Sequence, residues 1–128
     1  MKVIVNGTFD ILHPGHIALL NYAKSLGVYL LVAIDSNERV RQLKGLTRPI
    51  NSQSDRKLML ENLKAVDEVC VFNSDEELLH LISQCDIMVK GSDYIDKPVI
   101  GSDLIKIEFY ERTEHSTTCT IQDIVNRR

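Results

Sequence analysis

Positive charge is in short supply in this sequence: 15 Lys and Arg stand against 18 Asp and Glu, for a formal net charge of −3. A protein whose main partner is nucleic acid carries a bulk basic field, so that class is excluded as the principal function, and any anionic ligand must be held by a local site. Cysteine is equally sparse. Cys70, Cys85 and Cys119 are odd in number and widely spaced, which reads as free thiols in a reducing compartment rather than a disulfide framework. Long apolar runs are missing too: the opening residues 1–7 are too short a run for a signal peptide, and no stretch approaches membrane-spanning length. The expectation is a cytoplasmic protein with no membrane contact. Internal repeats, low-complexity segments and long linkers are also lacking, so the 128 residues, 44% hydrophobic and 26% charged, are expected to form one domain over 1–128 with a real core.

What is present is a regular alternation of short apolar runs and amphipathic stretches. Residues 2–6 form a β-branched run that stops at Gly7, the pattern of a strand buried on both faces. Pro14 then suits a first helical turn, and Ile17, Leu19, Leu20, Ala23 and Leu26 supply an apolar face before Gly27. Strands are expected at 29–34, 69–72, 87–89 and 104–109, and a third amphipathic helix at 75–84. Between them, residues 37–52 are polar and basic, which predicts a short helix followed by an extended, mobile loop, a lid candidate. Ser52 or Ser54 can cap the next helix, whose apolar positions Leu58, Leu60, Leu63 and Val66 leave Arg56 and Lys57 near its exposed start. Residues 92–103 read as a loop with one helical turn around Val99, 112–118 as another polar loop, and 119–125 as a last helix capped by Ser116 or Thr117. This order implies a doubly wound, Rossmann-like α/β fold, a parallel five-stranded sheet with helices on both faces. Ligands of such sheets bind in the crevice outside the carboxyl ends of the strands.

The chemistry-bearing residues gather where the first strand ends. Asn6-Gly7-Thr8-Phe9-Asp10 leads toward a helix beginning near Pro14, so backbone N–H groups and the positive helix end can face an anion. His13 and His16, three positions apart around Pro14 and Gly15, fall on one side of that turn and could donate to phosphate oxygens. Two other readings stand beside this one. Two histidines alone do not make a zinc site without a third and fourth ligand, which His80, His115 and the scattered cysteines do not obviously supply, and buried histidines are often simply hydrogen-bonded core residues. Likewise Lys44, Arg48 and Arg56 could be a solvated basic face, Asp10 a turn cap, Ser116 an N-cap, Asp93 a loop residue and Tyr94 a packing residue.

The joint pattern resembles a known family. Gly7-Thr8-Phe9-Asp10-Ile11-Leu12-His13-Pro14-Gly15-His16 is similar to the signature of the cytidylyltransferase-like nucleotidyltransferases, whose His-x-Gly-His element is shared with class I aminoacyl-tRNA synthetases. Leu43-Lys44-Gly45, Arg48-Pro49, Asp55-Arg56, Val66-Asp67 and Val89-Lys90-Gly91-Ser92-Asp93-Tyr94 look like the adenylyltransferase domain of bifunctional heptose 1-phosphate enzymes. Arg112-Thr113-Glu114 and Ser116-Thr117-Thr118 look like glycerol-3-phosphate cytidylyltransferase, although the Ser-Thr-Thr part occurs in both.

The resemblance implies roles for named residues. Gly7, Thr8, Phe9, Asp10 and Gly15 would form the nucleotide-binding turn, and His13 and His16 would contact the phosphates and stabilise the transition state. Lys44 would reach the α-phosphate or the incoming phosphate, and Arg56 would bind phosphate groups near the second substrate. Lys90, Gly91 and Asp93 would flank the base and ribose; Ser116, Thr117 and Thr118 would hold the β- and γ-phosphates, with Arg112 nearby. Mg²⁺ would accompany the triphosphate, with no metal held by the protein itself. The activity implied is transfer of a nucleoside monophosphate, from ATP in first place, to a sugar phosphate such as heptose 1-phosphate, with release of pyrophosphate. The product would be a nucleotide-activated sugar for surface polysaccharide such as lipopolysaccharide. Two alternatives remain: a CTP-dependent enzyme acting on glycerol 3-phosphate or a related alcohol phosphate, and a catalytically silent nucleotide-binding module. With no kinase domain in the sequence, a separate protein is expected to supply the sugar 1-phosphate. Members of the family are often dimers, which leaves a homodimer open.

Overall fold

The computed structural model describes residues 1–111. The expected last helix, Cys119, and the assignments to Arg112, Ser116, Thr117 and Thr118 lie outside the described residues. Within them the chain runs β1 (Lys2–Gly7), α1 (Pro14–Ser25), β2 (Tyr29–Asp35), α2 (Asn37–Lys44), α3 (Gln53–Glu61), β3 (Glu68–Phe72), α4 (Asp75–Ile82), β4 (Ile87–Gly91) and β5 (Lys106–Tyr110), with a single 3₁₀ turn at Ser92–Tyr94. All strand pairs are parallel, and the sheet order is β3-β2-β1-β4-β5. This is the doubly wound α/β architecture that the alternation implies.

The period-2 geometry of strands divides the core. Val3 and Val5 of β1 and Leu30, Val32 and Ile34 of β2 face α1 and α3, where they meet Leu19, Leu20, Ala23 and Leu60. Ile4, Leu31, Ala33, Phe72 and Met88 point the other way and pack on Leu78 and Ile82 of α4. Because both faces are covered, these strands read as continuous apolar runs rather than alternating ones. The helix starts follow local chemistry: Ser36, Ser52 and Ser74 cap α2, α3 and α4 by accepting the N–H groups of Arg39, Asp55 and Glu77. Asp75, Glu76 and Glu77 crowd the positive end of α4.

The chain reverses direction across the sheet between β1 and β4, and there the pairing is short. Only Val3↔Ile87 and Ile4↔Met88 are in register, whereas β1 follows β2 from Lys2↔Tyr29 to Gly7↔Ile34. The carboxyl halves of β1 and β4 therefore separate and leave a crevice, the switch point at which ligands of such sheets bind.

Several expectations shift. The segment after β2 is a regular α2 up to Lys44, and the loop behind it is anchored at Ile50 and Asn51 rather than extended along its length. Helix α3 is turned so that Arg56 and Leu60 are inside and Leu58 and Met59 outside, the opposite of the expected exposure of Arg56. The reason is polar: the end of β2 and the first turn present carbonyl oxygens that only a long donor can reach. Helix α3 stops at Glu61, α4 at Ile82, β5 begins at Lys106 with Leu104 exposed, and the helical turn lies at Ser92–Tyr94 rather than around Val99.

Two glycines adopt left-handed backbone, Gly45 (φ 98°) and Gly101 (φ 85°). A Cβ on Gly45 would meet nothing, but one on Gly101 would lie 2.8 Å from Ile82 Cδ1 in the packed α4 face. Gly45→Ala is expected to cost about 1 kcal/mol from backbone strain alone, and Gly101→Ala at least about 1 kcal/mol more from forced repacking. Urea denaturation of the two variants checks this, and equal losses would refute the packing contribution.

Candidate active site

The turn after β1 is built by one aromatic folding back on one glycine. Phe9 takes a left-handed backbone (φ 50°), rare for a side chain of its size, and its ring sits 3.1 Å from where a Cβ of Gly7 would be. A side chain at position 7 would have to push the Phe9 ring aside by a few tenths of an ångström. The Phe9 ring continues into the core of the α1 face and lies 5.1 Å from the His16 ring.

His13 and His16 do fall together. His13 is the N-cap of α1, and its Nδ1 accepts the Gly15 N–H at 3.1 Å, which assigns the proton of the neutral ring to Nε2. The two imidazoles stack with centroids 3.8 Å apart and planes 21° from parallel, and both side chains are buried. His13 therefore orients His16 from below, and the positive end of α1 lies behind both. Gly15 serves this cap with its N–H, which is then not available to a nucleotide.

A cavity of about 360 Å³ opens at the carboxyl edge above the crevice. Gly7, Thr8 and Phe9 form its floor with His16; Lys44 reaches it from the end of α2, and Lys90 and Gly91 from the end of β4. Tyr94 lines it too, with Lys90 Nζ 4.8 Å and Lys97 Nζ 5.6 Å from its ring centroid. Partial withdrawal from water, followed by the nearby Arg48, pushes the Lys44 ammonium below the ordinary lysine pKa, while Asp35 and Asp10 pull the other way.

The remaining sequence-derived residues do not line this cavity. Asp10 is buried, and its carboxylate accepts the backbone N–H groups of Ile50 (2.8 Å) and Asn51 (2.7 Å), so it fastens the loop after α2 to the turn after β1. Asn51 Nδ2 returns a bond to the Asp10 carbonyl. Asp93 lies in the 3₁₀ turn, away from the cavity wall. Arg56 is 1% exposed, and its guanidinium donates to the carbonyls of Asn51, Thr8 and Asp35 and to Asn37 Oδ1. Those bonds use four of its five N–H groups. Its position is that of a scaffold beneath the site, not of a hand extended to a second substrate.

Sequence reasoning passed over Asp35 and Arg39, both of which line the cavity. Asp35 accepts from Arg39 Nε (2.9 Å) and from the Thr8 hydroxyl (3.3 Å). The signal was available: Asp35 is the last residue of β2, beside the turn after β1, and strand carboxyl ends carry function in this fold class. Among the described residues no three His, Cys, Asp or Glu side chains converge to hold a metal ion. No described helix is long and apolar enough to cross a membrane.

Replacing Arg56 with Leu removes its donors from the carbonyls of Thr8, Asp35 and Asn51 and leaves Asn37 Oδ1 with the Gln53 N–H alone, and we expect a loss of about 3–5 kcal/mol in urea melts, the scale of breaking a buried charged network. Arg56→Lys should recover little, because one ammonium cannot span four acceptors. A loss below about 1 kcal/mol in either variant would contradict the scaffold role.

Comparison with known proteins agrees with this geometry. Residues 4–119 match the family described as Cytidylyltransferase-like. The chain is 48% identical over 128 positions to the bifunctional protein HldE of Wolinella succinogenes and 46% identical over 127 positions to that of Helicobacter pylori strain J99, in each case across 95% of this chain. It spans about a quarter of the length of these relatives (26% and 27%). A lipopolysaccharide core biosynthesis protein from Thermoplasma volcanium superposes with a TM-score of 0.70 at 26% identity, covering 91% of this chain and 98% of that one. Pantothenate synthetase from Thermus thermophilus shares the fold, with a TM-score of 0.60 at 16% identity over 89% of this chain and 56% of that one.

Proposed function

The chain belongs to the cytidylyltransferase-like family, and from that premise we propose that it transfers a nucleoside monophosphate from a nucleoside triphosphate, ATP in first place, to a sugar phosphate such as heptose 1-phosphate. The observation that carries this reading is His16, stacked on His13 and placed with the Gly7–Phe9 turn at the floor of a cavity flanked by Lys44 and Lys90. A sugar phosphate as acceptor is supported by the likeness to HldE proteins and to a lipopolysaccharide core biosynthesis protein. Incorporation of the product into a surface polysaccharide follows from the same likeness.

The chemistry needs no protein nucleophile. A phosphate monoester is largely dianionic at neutral pH, so one of its oxygens attacks the α-phosphorus in line, and the bond to the pyrophosphate oxygen breaks with its electron pair leaving on pyrophosphate. The work of the protein is to align the two and to neutralise charge. In this reading His16, held by the His13 ring, donates to a phosphate oxygen as charge builds, and Lys44 draws the incoming phosphate toward it. The turn at Gly7 and Thr8 supports the triphosphate against the positive end of α1. Lys90 and Gly91 flank the base and ribose. Mg²⁺ is expected with the triphosphate on the family resemblance, where it would supply positive charge to the phosphate oxygens. Arg112, Ser116, Thr117 and Thr118 enter the proposal through the family resemblance alone, as further triphosphate contacts, and a homodimer belongs to the proposal on the same footing.

A pyrophosphate-release matrix of ATP and CTP against heptose 1-phosphate, glycerol 3-phosphate and ethanolamine phosphate tests the assignment. Turnover with ATP and the sugar phosphate is expected; preference for CTP with glycerol 3-phosphate would overturn it. Triphosphate binding without turnover on any acceptor would identify a silent module. In the active pair, His16→Ala should lower kcat by about a hundredfold or more, as for loss of one preorganised donor.

Lys44 adds a pH signature. Its charged form is the useful one, and its pKa is lowered, so kcat/KM should fall as pH rises through a midpoint below that of an ordinary lysine. Lys44→Arg should move that alkaline limb upward, since a guanidinium keeps its proton. An unmoved limb would assign the titration to another group.

A further inference from the structure

The β2 side of the cavity differs from the rest of its wall. Thr8, His16, Lys44 and Lys90 present hydroxyl, imidazole and ammonium groups suited to phosphate, but Asp35 places a carboxylate in the same space. That carboxylate is fixed from two directions. Arg39 Nε donates to Oδ1 at 2.9 Å, and the Thr8 hydroxyl donates to Oδ2 over a long 3.3 Å. Arg39 is itself held by Asp75 on α4 (2.5 Å) and lies 5.2 Å from the centroid of the Phe72 ring. One guanidinium shared between two carboxylates leaves this wall with no surplus of positive charge, so it disfavours a phosphate. It suits neutral hydroxyl donors, for which an ionised carboxylate is a strong acceptor. The ammonium of Lys44 feels the charge of Asp35. A small molecule with a phosphate at one end and hydroxyls along its body matches that order of charges, the phosphate toward Lys44 and His16 and the hydroxyls toward Asp35.

We propose that Asp35, fixed by Arg39 and Thr8, is a specificity-determining residue that accepts hydrogen bonds from hydroxyl groups on the carbon skeleton of the acceptor. This rests on the nucleotidyl-transfer reading and deepens it: the acceptor class is a polyhydroxylated sugar phosphate, selected by its hydroxyls as well as by its phosphate. Arg39 acts through Asp35 as a positioning residue. The chemistry of the transfer step is unchanged, because Asp35 touches neither the α-phosphorus nor the leaving group in this arrangement.

The test uses the full chain in a pyrophosphate-release assay with ATP, heptose 1-phosphate and analogues each lacking one hydroxyl. For the unaltered protein, removal of the recognised hydroxyl should raise the acceptor KM by about ten- to a hundredfold, the scale of one hydrogen bond to a charged group, while the KM for ATP stays within about twofold. In Asp35→Asn, which keeps an oxygen for Arg39, the acceptor KM should rise by a similar factor for the parent sugar and respond little to the same deletion. If the variant does not fold, the deoxy series on the unaltered protein decides by itself, and equal KM values across the series would overturn the proposal. A rise in the KM for ATP or a changed Mg²⁺ requirement, with the acceptor KM unmoved, would also overturn it and assign Asp35 to the triphosphate. Turnover with heptose 1-phosphate but no sensitivity to any hydroxyl defeats this inference alone. No turnover with any sugar phosphate defeats the transfer reading and the inference with it.

Discussion

The site depends on one buried guanidinium. Arg56 rises from the second turn of α3 and gathers the carbonyls of Thr8, Asp35 and Asn51 together with the Asn37 side chain. Those oxygens belong to the turn after β1, the end of β2, the loop after α2 and the start of α2, four pieces of chain brought to one donor group. Burial disfavours the charge, and Asp10 and Asp35 offset this. A guanidinium stays protonated under that strain where an ammonium would give up its proton, and its planar fork reaches several acceptors at once. Arg56 therefore shapes the floor on which phosphate chemistry would take place without entering it.

Around that hub, polar bonds lock the loops to one another. Asn37 and Gln53 exchange side chain to backbone bonds in both directions, tying the start of α2 to the start of α3. Asp10 and Asn51 do the same for the turn after β1 and the loop leading into α3. The stretch from Gly45, with its positive φ, to Pro49 lies between those anchors and the end of α2. The apolar frame is separate from this polar layer: the two faces of the sheet hold the strands, and the short β1–β4 pairing leaves the crevice open. Rigidity below and a gap above are what a preorganised phosphate site requires.

Much of this was legible in the linear chain. Apolar runs at 2–6 and 29–34, the helix opened by Pro14 and the Ser52 cap of α3 fall where expected because they depend on local propensity and hydrogen bonding within a few residues. The histidine pair was equally visible, since a separation of three places both rings on one helical turn. Element ends were less so. Helix α3 stops short of expectation because the apolar pattern continues past the regular helix into turns, where Leu63 and Val66 still pack on the core.

The sequence by itself determined the strand and helix alternation, the glycine turn after β1, the histidine pair at the start of α1 and, through its motifs, the family, all of which rest on residues close together in the chain. Only the tertiary structure decided what the isolated charges do. Arg56, expected to bind phosphate or to be a solvated cation, is a buried scaffold; Asp10, expected in the nucleotide-binding turn or as a turn cap, clamps the loop after α2; and Asp35 went unnoticed at a strand end and lines the cavity. The physical reason is that a charge takes its role from its partners, and these include Asp35 and Thr8 at 21 and 48 residues from Arg56, Ile50 and Asn51 at 40 and 41 from Asp10, and Thr8 at 27 from Asp35. No local pattern encodes such distances; the sheet has to form before they close.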